Sequence, residues 1–207
     1  MYTEFFGLSD KPFNQVPDPD FLYLSPNHKK ALTMLEYGIA SHAGFTVITG
    51  AIGAGKTTLI RALLNKIDDN CLIGLINNTH ESFGSLLEWV LDALDVKSNS
   101  VDNAGRYRDY VNFVIERYAE GRRVVLIIDE AQNLTSKQMK TLITRAGPGT
   151  KIVCLGNIAQ IDTPYLSETT SGLTYVVDHF KYWQHSGHIT LLRGERSRLA
   201  DYASENL

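Results

Sequence analysis

An octapeptide of the pattern GxxxxGK(S/T) is the strongest chemical signal in the sequence. It comprises Gly50, Ala51, Ile52, Gly53, Ala54, Gly55, Lys56 and Thr57, and Thr58 follows it. Glycines let such a loop curl until successive backbone N–H groups face one anion, and a following helix N-terminus adds partial positive charge. We expect these nine residues to bind a nucleotide, with Lys56 at the β- and γ-phosphates and the Thr57 hydroxyl on Mg²⁺. The plainer interpretation is a glycine-rich turn with an exposed lysine.

Two acids form a second candidate group, because the apolar run 124–128 ends in Asp129 and Glu130. Ligands of parallel sheets bind at the carboxyl ends of the strands, so these acids and the loop are expected at one edge. We predict that Asp129 holds Mg²⁺ through its water shell and that Glu130 orients and activates a hydrolytic water. Taken alone, the motif also fits a strand that ends in solvated acids.

Polar residues after two later apolar runs could contact the same phosphates. Asn157 is the first candidate for a group that senses the γ-phosphate or the attacking water, Gln160 is the second, and a plain strand-to-loop turn is the alternative. Arg193, Arg196 and Arg198 follow the last run, and an arginine on the developing charge assists phosphoryl transfer. The sequence does not specify which arginine would act, or whether it would act in cis or on a neighbouring subunit. A solvated basic turn is the alternative.

The elements that must position these residues alternate between strands and helices. Apolar, β-branched runs predict strands at 45–49, 71–76, 124–128, 151–155 and 188–192. Helical spacing predicts helices at 26–41 (capped by Ser25), 56–67, 83–94, 104–119, 136–145 and 171–183, and a short terminal one. Strands that are apolar on both faces and separated by helices are typical of a covered parallel sheet. The predicted fold is an α/β, three-layer P-loop NTPase with a five-stranded, mainly parallel sheet flanked by helices.

Length and composition limit the class of protein. The chain has 207 residues, 43% of them hydrophobic and 21% charged, which excludes a disordered protein and fits one domain. We expect that domain at 29–207, behind an irregular arm at 1–28 that is rich in proline and pinned to the body by its aromatic residues. The apolar runs are much shorter than a membrane-spanning helix, and the N-terminus lacks the layout of a secretory signal. We therefore expect a cytoplasmic protein without a transmembrane segment.

Several residues that could suggest other chemistry have simpler interpretations. The two cysteines lie in apolar runs and are expected as reduced thiols in strands. The histidines between 179 and 188 have no metal-binding spacing and are expected at the surface, while the neighbouring aromatic residues are expected on the buried face of one helix. The residues concerned are Cys71 and Cys154; His179, His185 and His188; and Tyr175, Phe180, Tyr182 and Trp183.

Two sets of motifs occur in different parts of the chain. The first set comprises Phe5 to Leu8, Pro12-Phe13, Pro17 to Pro19, Phe21 to Tyr23, His28, Gly44-Phe45, the phosphate loop, Asn78-Thr79 and Asp129 to Leu134. The second set comprises Gln138 to Gly147, Gly156 to Asp162, Ser171 to Leu173 and Arg193 to Ser197. By the first set, residues 1 to about 134 resemble the ATPase domain of the general secretion pathway protein A (ExeA-type) family of the AAA superfamily. By the second, residues from about 137 resemble the C-terminal half of PhoH-like ATPases.

The chain thus looks like a mosaic with its seam near 129–137. A natural recombinant, an engineered chimera and an assembly artefact would all leave this pattern.

The resemblance implies ATP as the nucleotide and the strand order 5-1-4-3-2. The first implied activity is a Mg²⁺-dependent ATPase that drives conformational change in a secretion-type cytoplasmic assembly, with a homo-oligomer or a secretion-machinery protein as partner. One alternative is a PhoH-like, RNA-dependent ATPase, which the net charge of +2 on residues 135–207 supports weakly. The other is a nucleotide-binding module without turnover.

Overall fold

Five parallel strands form the centre of the molecule. The computed structural model describes residues 2–9, 24–41, 44–68, 70–79 and 84–191. The strands are β1 (Phe45–Gly50), β2 (Cys71–Ile76), β3 (Arg123–Ile128), β4 (Thr150–Gly156) and β5 (Ser186–Leu191). Their order is β2-β3-β4-β1-β5, and every neighbouring pair is parallel. The predicted fold class and the strand order implied by the resemblance are confirmed.

Helices cover both faces of this sheet. The short helix α1 (Tyr2–Phe6) has no buried residue, and the helices that cover the sheet are α2 (Pro26–Ala40), α3 (Lys56–Leu64), α4 (Leu86–Ala93), α5 (Asn103–Ala119), α6 (Ser136–Thr144) and α7 (Gly172–Phe180). A 3₁₀ turn at Ala131–Asn133 follows β3. Among the described helices, none is long and apolar enough to cross a membrane.

The central strands bury side chains in two cores because alternate residues point to opposite faces. On one face, Phe45 and Val47 of β1 join Leu126 of β3 in a cluster with residues of α4 to α7. On the other face, Ile48 of β1 and Ile127 of β3 pack with α2 and α3. The apolar runs of β1, β3 and β4 are almost wholly buried, whereas the edge strands β2 and β5 are partly exposed. The sheet therefore has the covered, three-layer arrangement that the sequence predicts.

Some helix ends differ from the predictions because local contacts fix them. Helix α4 begins at Leu86, since the Glu88 carboxylate accepts the Ser85 N–H at 2.7 Å. Helix α7 ends at Phe180, whose carbonyl accepts the Ser186 hydroxyl at 2.6 Å. Helix α3 ends at Leu64 rather than near residue 67.

Two predictions about aromatic residues are wrong in part. Phe5 and Phe6 do not pin the N-terminal arm: their rings meet edge to face at 5.0 Å and are 83% and 67% exposed. Tyr182 and Trp183 lie beyond the end of α7 and are exposed, because the chain turns there towards β5. Tyr175 and Phe180, which are on the helix, do pack against the core.

The remaining predictions concern the cysteines and histidines, which the structure describes, and two segments outside the described residues. Both cysteines are free thiols in strands, Cys154 buried and Cys71 half-buried, and the three histidines are exposed as predicted. Leu192 and the predicted terminal helix lie outside the described residues. So do the arm aromatics Phe13, Phe21 and Tyr23.

Candidate nucleotide-binding site

The phosphate loop joins the end of β1 to the start of α3, as its spacing predicts. Gly53 and Gly55 have φ angles of 75° and 80°, in the left-handed region that favours glycine. Ala54 between them is buried in the core that α2 and α3 share, whereas Ala51 and Ile52 are exposed. Gly55 is the N-cap of α3 and has no side chain to offer the first N–H groups of the helix. Such a helix start suits an external anion.

Two side chains at the start of α3 define the interior of the site. The Lys56 ammonium donates to the carbonyl oxygens of Gly50 at 2.7 Å and Ala51 at 3.0 Å, so its charge lies against the loop. The Thr57 hydroxyl lies 3.5 Å from a carboxylate oxygen of Asp129. The structure therefore brings the loop and the acid after β3 together, as the sequence predicts. Thr58 follows in the same helical turn and is half-buried.

The acidic pair sits directly behind β3. The Asp129 N–H continues the ladder by donating to Ile76 at 2.8 Å, and an Asp129 carboxylate oxygen accepts the Glu130 N–H at 3.0 Å. Glu130 has a φ of 55°, a strained conformation for this residue type that often marks functional sites. Burial, and then the charges of Asp129 and Asp162, raise the pKa of the Glu130 carboxyl.

Asn157 follows β4, which lies between β1 and β3. Its N–H donates to the Gln132 side-chain carbonyl at 3.0 Å, and its own side-chain oxygen accepts the Ala159 N–H at 3.3 Å. The backbone of Gln160 donates to the Asn157 carbonyl at 3.0 Å. The structure thus places Asn157 at the predicted strand end, with its side chain turned to its own loop.

The predicted arginines Arg193, Arg196 and Arg198 lie outside the described residues. Within the described residues, the structure brings together Lys56 with the Gly50 carbonyl, Thr57 with Asp129, and Asp129 with Glu130.

A protein-family model described as an AAA domain matches residues 39–162, which is more than half of the chain. The chain belongs to the AAA domain family. The matched stretch runs from α2 past β4, so it contains the phosphate loop, the acidic pair and Asn157.

Two curated relatives each match part of this chain. General secretion pathway protein A of Aeromonas hydrophila is 36% identical over 135 residues, covering 65% of this chain and 25% of the relative. Protein PhoH2 of Bacillus subtilis (strain 168) is 52% identical over 93 residues, covering 44% of this chain and 21% of the relative. The chain therefore spans about a quarter or less of each relative's length. The resemblance to both families is confirmed, and the position of the seam stays a prediction.

Solved structures share the fold at low sequence identity. The ORC2 protein of Aeropyrum pernix, determined as ADPNP-ADP complexes, is 13% identical with a TM-score of 0.58, covering 94% of this chain and 54% of that chain. The Pif1 helicase of Candida albicans is 17% identical with a TM-score of 0.53, covering 89% of this chain and 43% of that chain. These likenesses show that the chain has the same fold as these structures.

Three polar residues without a predicted role also contact the site of this AAA domain. The buried Thr79 hydroxyl donates to the Glu130 carbonyl at 3.0 Å, the buried Gln132 amide holds the Asn157 N–H, and His28 contacts the Ala54 carbonyl. Their partners are 51, 25 and 26 positions away in the chain. The sequence motifs do not assign these residues a role, because each role depends on a contact with a residue far along the chain.

Proposed function

We propose that this chain binds ATP together with Mg²⁺ and hydrolyses the nucleotide. The observation that supports this most directly is the 3.5 Å approach of the Thr57 hydroxyl to the Asp129 carboxylate. It joins the start of the phosphate-loop helix to the acid at the end of another strand, which is the arrangement a metal-bound nucleotide requires. ATP, rather than another nucleotide, is proposed from the resemblance to secretion-type and PhoH-like ATPases.

The donor atoms at this contact fit Mg²⁺. A hydroxyl and a carboxylate are hard oxygen ligands, and Mg²⁺ in proteins is usually held by one or two carboxylates, several waters and substrate phosphates. Thr57 and Asp129 would hold the ion, Asp129 through its water shell. When bound, the ion supplies positive charge to the phosphate oxygens.

The chain's own residues would bind the phosphates, accept a proton and stabilise the developing charge. The loop N–H groups and Lys56 would bind the phosphates, and Glu130 would accept the proton of the attacking water. A raised Glu130 pKa suits this role, because a general base works best when its pKa is near the working pH. Asn157, at the end of β4 between β1 and β3, would sense the γ-phosphate, and Gln160 is the second candidate. Arg193 and Arg196 are proposed from the sequence to assist at the developing charge, with Arg198 as a third candidate.

The proposed role of hydrolysis is to drive conformational change in a cytoplasmic, secretion-type assembly. Its support is the match to General secretion pathway protein A, which covers 65% of this chain. The second candidate is an RNA-dependent ATPase, supported by the 52% identity to Protein PhoH2 over 93 residues.

Phosphate release by the purified chain tests these proposals. We expect ATP-dependent release with Mg²⁺ that EDTA abolishes and magnesium restores. Adding single-stranded RNA at low and at raised salt then separates the two candidates, since binding to the RNA backbone weakens with salt. Stimulation that falls with salt favours the RNA-dependent enzyme, whereas no stimulation favours the secretion-type role. Binding of ATP without any release would contradict hydrolysis and indicate a nucleotide-binding module.

A further inference from the structure

A hydrogen-bond relay connects the start of α2 to the phosphate loop. Ser25 is the N-cap of α2, and its hydroxyl oxygen accepts the His28 N–H at 3.3 Å. The same oxygen lies 2.7 Å from Nδ1 of the His28 ring, and Nε2 of that ring lies 2.9 Å from the Ala54 carbonyl oxygen. A carbonyl can only accept, so Nε2 carries the proton and, in the neutral ring, the Ser25 hydroxyl donates to Nδ1. The relay therefore has one consistent direction, from Ser25 through His28 to Ala54.

The accepting carbonyl belongs to the peptide group that joins Ala54 to Gly55. In a planar trans peptide the C=O and the N–H point in opposite directions. A carbonyl held towards α2 thus aims the Gly55 N–H away from α2, to the opposite side of the loop. Backbone N–H groups in this orientation are what such a loop uses to bind an anion.

The His28 ring also lies close against the loop itself. A Cβ added at Gly55 would come within 2.9 Å of Nε2, and Gly55 has a φ of 80°. Ala54 is buried in the core beneath, so the loop is fixed at this point by a side chain packed inwards and by the ring. Gly55 is therefore required for its conformation and for the space that His28 fills.

We propose that His28, oriented by Ser25, is a positioning residue that sets the Ala54–Gly55 peptide for phosphate binding. This inference rests on the proposed nucleotide-binding function. Because the Gly55 N–H would contact phosphate before and during the reaction alike, losing its orientation weakens substrate binding and leaves the chemical step largely unchanged.

Two replacements of His28 test the role of its N–H donor. His28→Leu keeps apolar volume and removes the donor, whereas His28→Gln keeps an amide N–H that can reach the Ala54 carbonyl. We expect His28→Leu to weaken binding of fluorescently labelled ATP and ADP and to raise KM for ATP, each by about tenfold, with kcat nearly unchanged. His28→Gln should restore affinity to within about threefold of the wild type. Thermal unfolding of both variants measures whether each is folded.

The outcomes separate this inference from the function on which it rests. Wild-type affinity in His28→Leu, or an equal loss in His28→Leu and His28→Gln when both are folded, would overturn the positioning role. If the leucine variant fails to fold, the glutamine variant still decides: a tenfold loss in a folded glutamine protein contradicts the role of the donor. Failure of the wild-type chain to bind labelled ATP at all would instead refute the proposed function.

Discussion

Lys56 holds its ammonium group against its own loop, within 3.0 Å of two carbonyl oxygens. An incoming phosphate offers this charge a stronger, ionised acceptor, so the side chain can exchange neutral partners for charged ones. The side chain is half-buried and adds little volume to either core.

Lys56→Ala should therefore abolish tight ATP binding and leave the fold intact. Titration with labelled ATP measures the affinity, and thermal unfolding measures the stability. Lys66→Ala is the matched control, since Lys66 lies just past α3 and forms an exposed ion pair with Glu36 at 2.9 Å. The control should bind like the wild type, and a Lys56 variant with wild-type affinity would show that the loop is not a phosphate site.

Glu130→Gln separates nucleotide binding from hydrolysis. The amide keeps the shape of the side chain and cannot accept the proton of the attacking water. We expect ATP binding to be retained and turnover to fall about a hundredfold or more, the usual range for loss of a general base. Single-turnover phosphate release measures the chemical step, and unchanged release would remove Glu130 from the mechanism.

Asp162 offers a test through pH, because its charge contributes to the raised Glu130 pKa. Glu130 must be ionised to act as a base, so turnover should fall as pH drops through its pKa. Asp162→Asn removes a negative neighbour, which lowers the Glu130 pKa and shifts the acid limb of the kcat profile to lower pH. A limb that stays in place, or moves to higher pH, would argue that Glu130 is not the group that titrates.

The sequence predicts the strands more accurately than the helix ends. Central strands with apolar residues on both faces, such as β3 and β4, leave little ambiguity, and every strand lies within two residues of its prediction where it is described. Helix ends depend on single contacts such as Ser186 with the end of α7. The capping pair Ser85 and Glu88 was visible in the sequence as S-x-x-E and would have placed the start of α4.

The candidate site also combines residues with a local sequence signal and residues whose roles depend on single contacts. The phosphate loop and the acids have local signatures, and their meeting follows once the carboxyl ends of β1 and β3 share an edge. The strand order that places β4 between them came from the resemblance, because periodicity does not specify neighbours. Thr79, Gln132 and the role of His28 were not predicted, since each depends on a partner far along the chain.

Strand β4 contains a buried lysine whose charge costs stability. Lys151 is 5% exposed, its ammonium donates to the Thr46 hydroxyl at 2.8 Å, and burial lowers its pKa to about 8. Because the folded state releases this proton more easily than the unfolded state, the free energy of unfolding rises with pH between about 8 and the ordinary value of 10.5. Below pH 8 the full penalty of the buried charge applies.

Lys151→Met removes that charge and keeps an unbranched apolar chain. The variant should be more stable than the wild type at pH 7, by up to about 3 kcal/mol before the lost Thr46 contact is subtracted. The difference should shrink as pH rises from 8 towards 10.5, because folded Lys151 becomes neutral over this range while the unfolded lysine still holds its proton. Urea unfolding of the two proteins across this range measures the difference, which a pH-independent result would contradict.

In the whole molecule, the segment after the acids is tied to the start of α7. The Ser171 hydroxyl donates to the Gln132 carbonyl at 2.8 Å, and the Gly172 N–H donates to Leu134 at 2.8 Å. A Cβ at Gly172 would come within 2.7 Å of the Thr135 carbonyl, so the two segments are in close backbone contact. These contacts join residues near the predicted seam to a stretch that resembles PhoH-like ATPases.

Ser171→Ala tests how much this junction contributes to stability. The hydroxyl is fully buried and also accepts the Leu173 N–H at 3.2 Å, so its loss leaves polar backbone groups unpaired. We expect the free energy of unfolding to fall by about 1 to 3 kcal/mol. Ser136→Ala removes a similar but exposed bond, from its hydroxyl to Thr170 at 3.2 Å, and should cost much less. Equal losses in urea unfolding would show that burial at the junction does not matter.

The strand order also determines when the chain can fold during synthesis. Strand β1 contacts β4 and β5, so neither neighbour exists until about a hundred further residues have been made. At about 5 to 20 residues per second, the ribosome needs roughly 5 to 20 seconds to reach the end of β4. Throughout that interval the apolar strand 45–50 has two unpaired edges, which is the condition that favours misassociation with other chains. The nascent chain should consequently depend on chaperones until β4 emerges from the ribosome and pairs with β1.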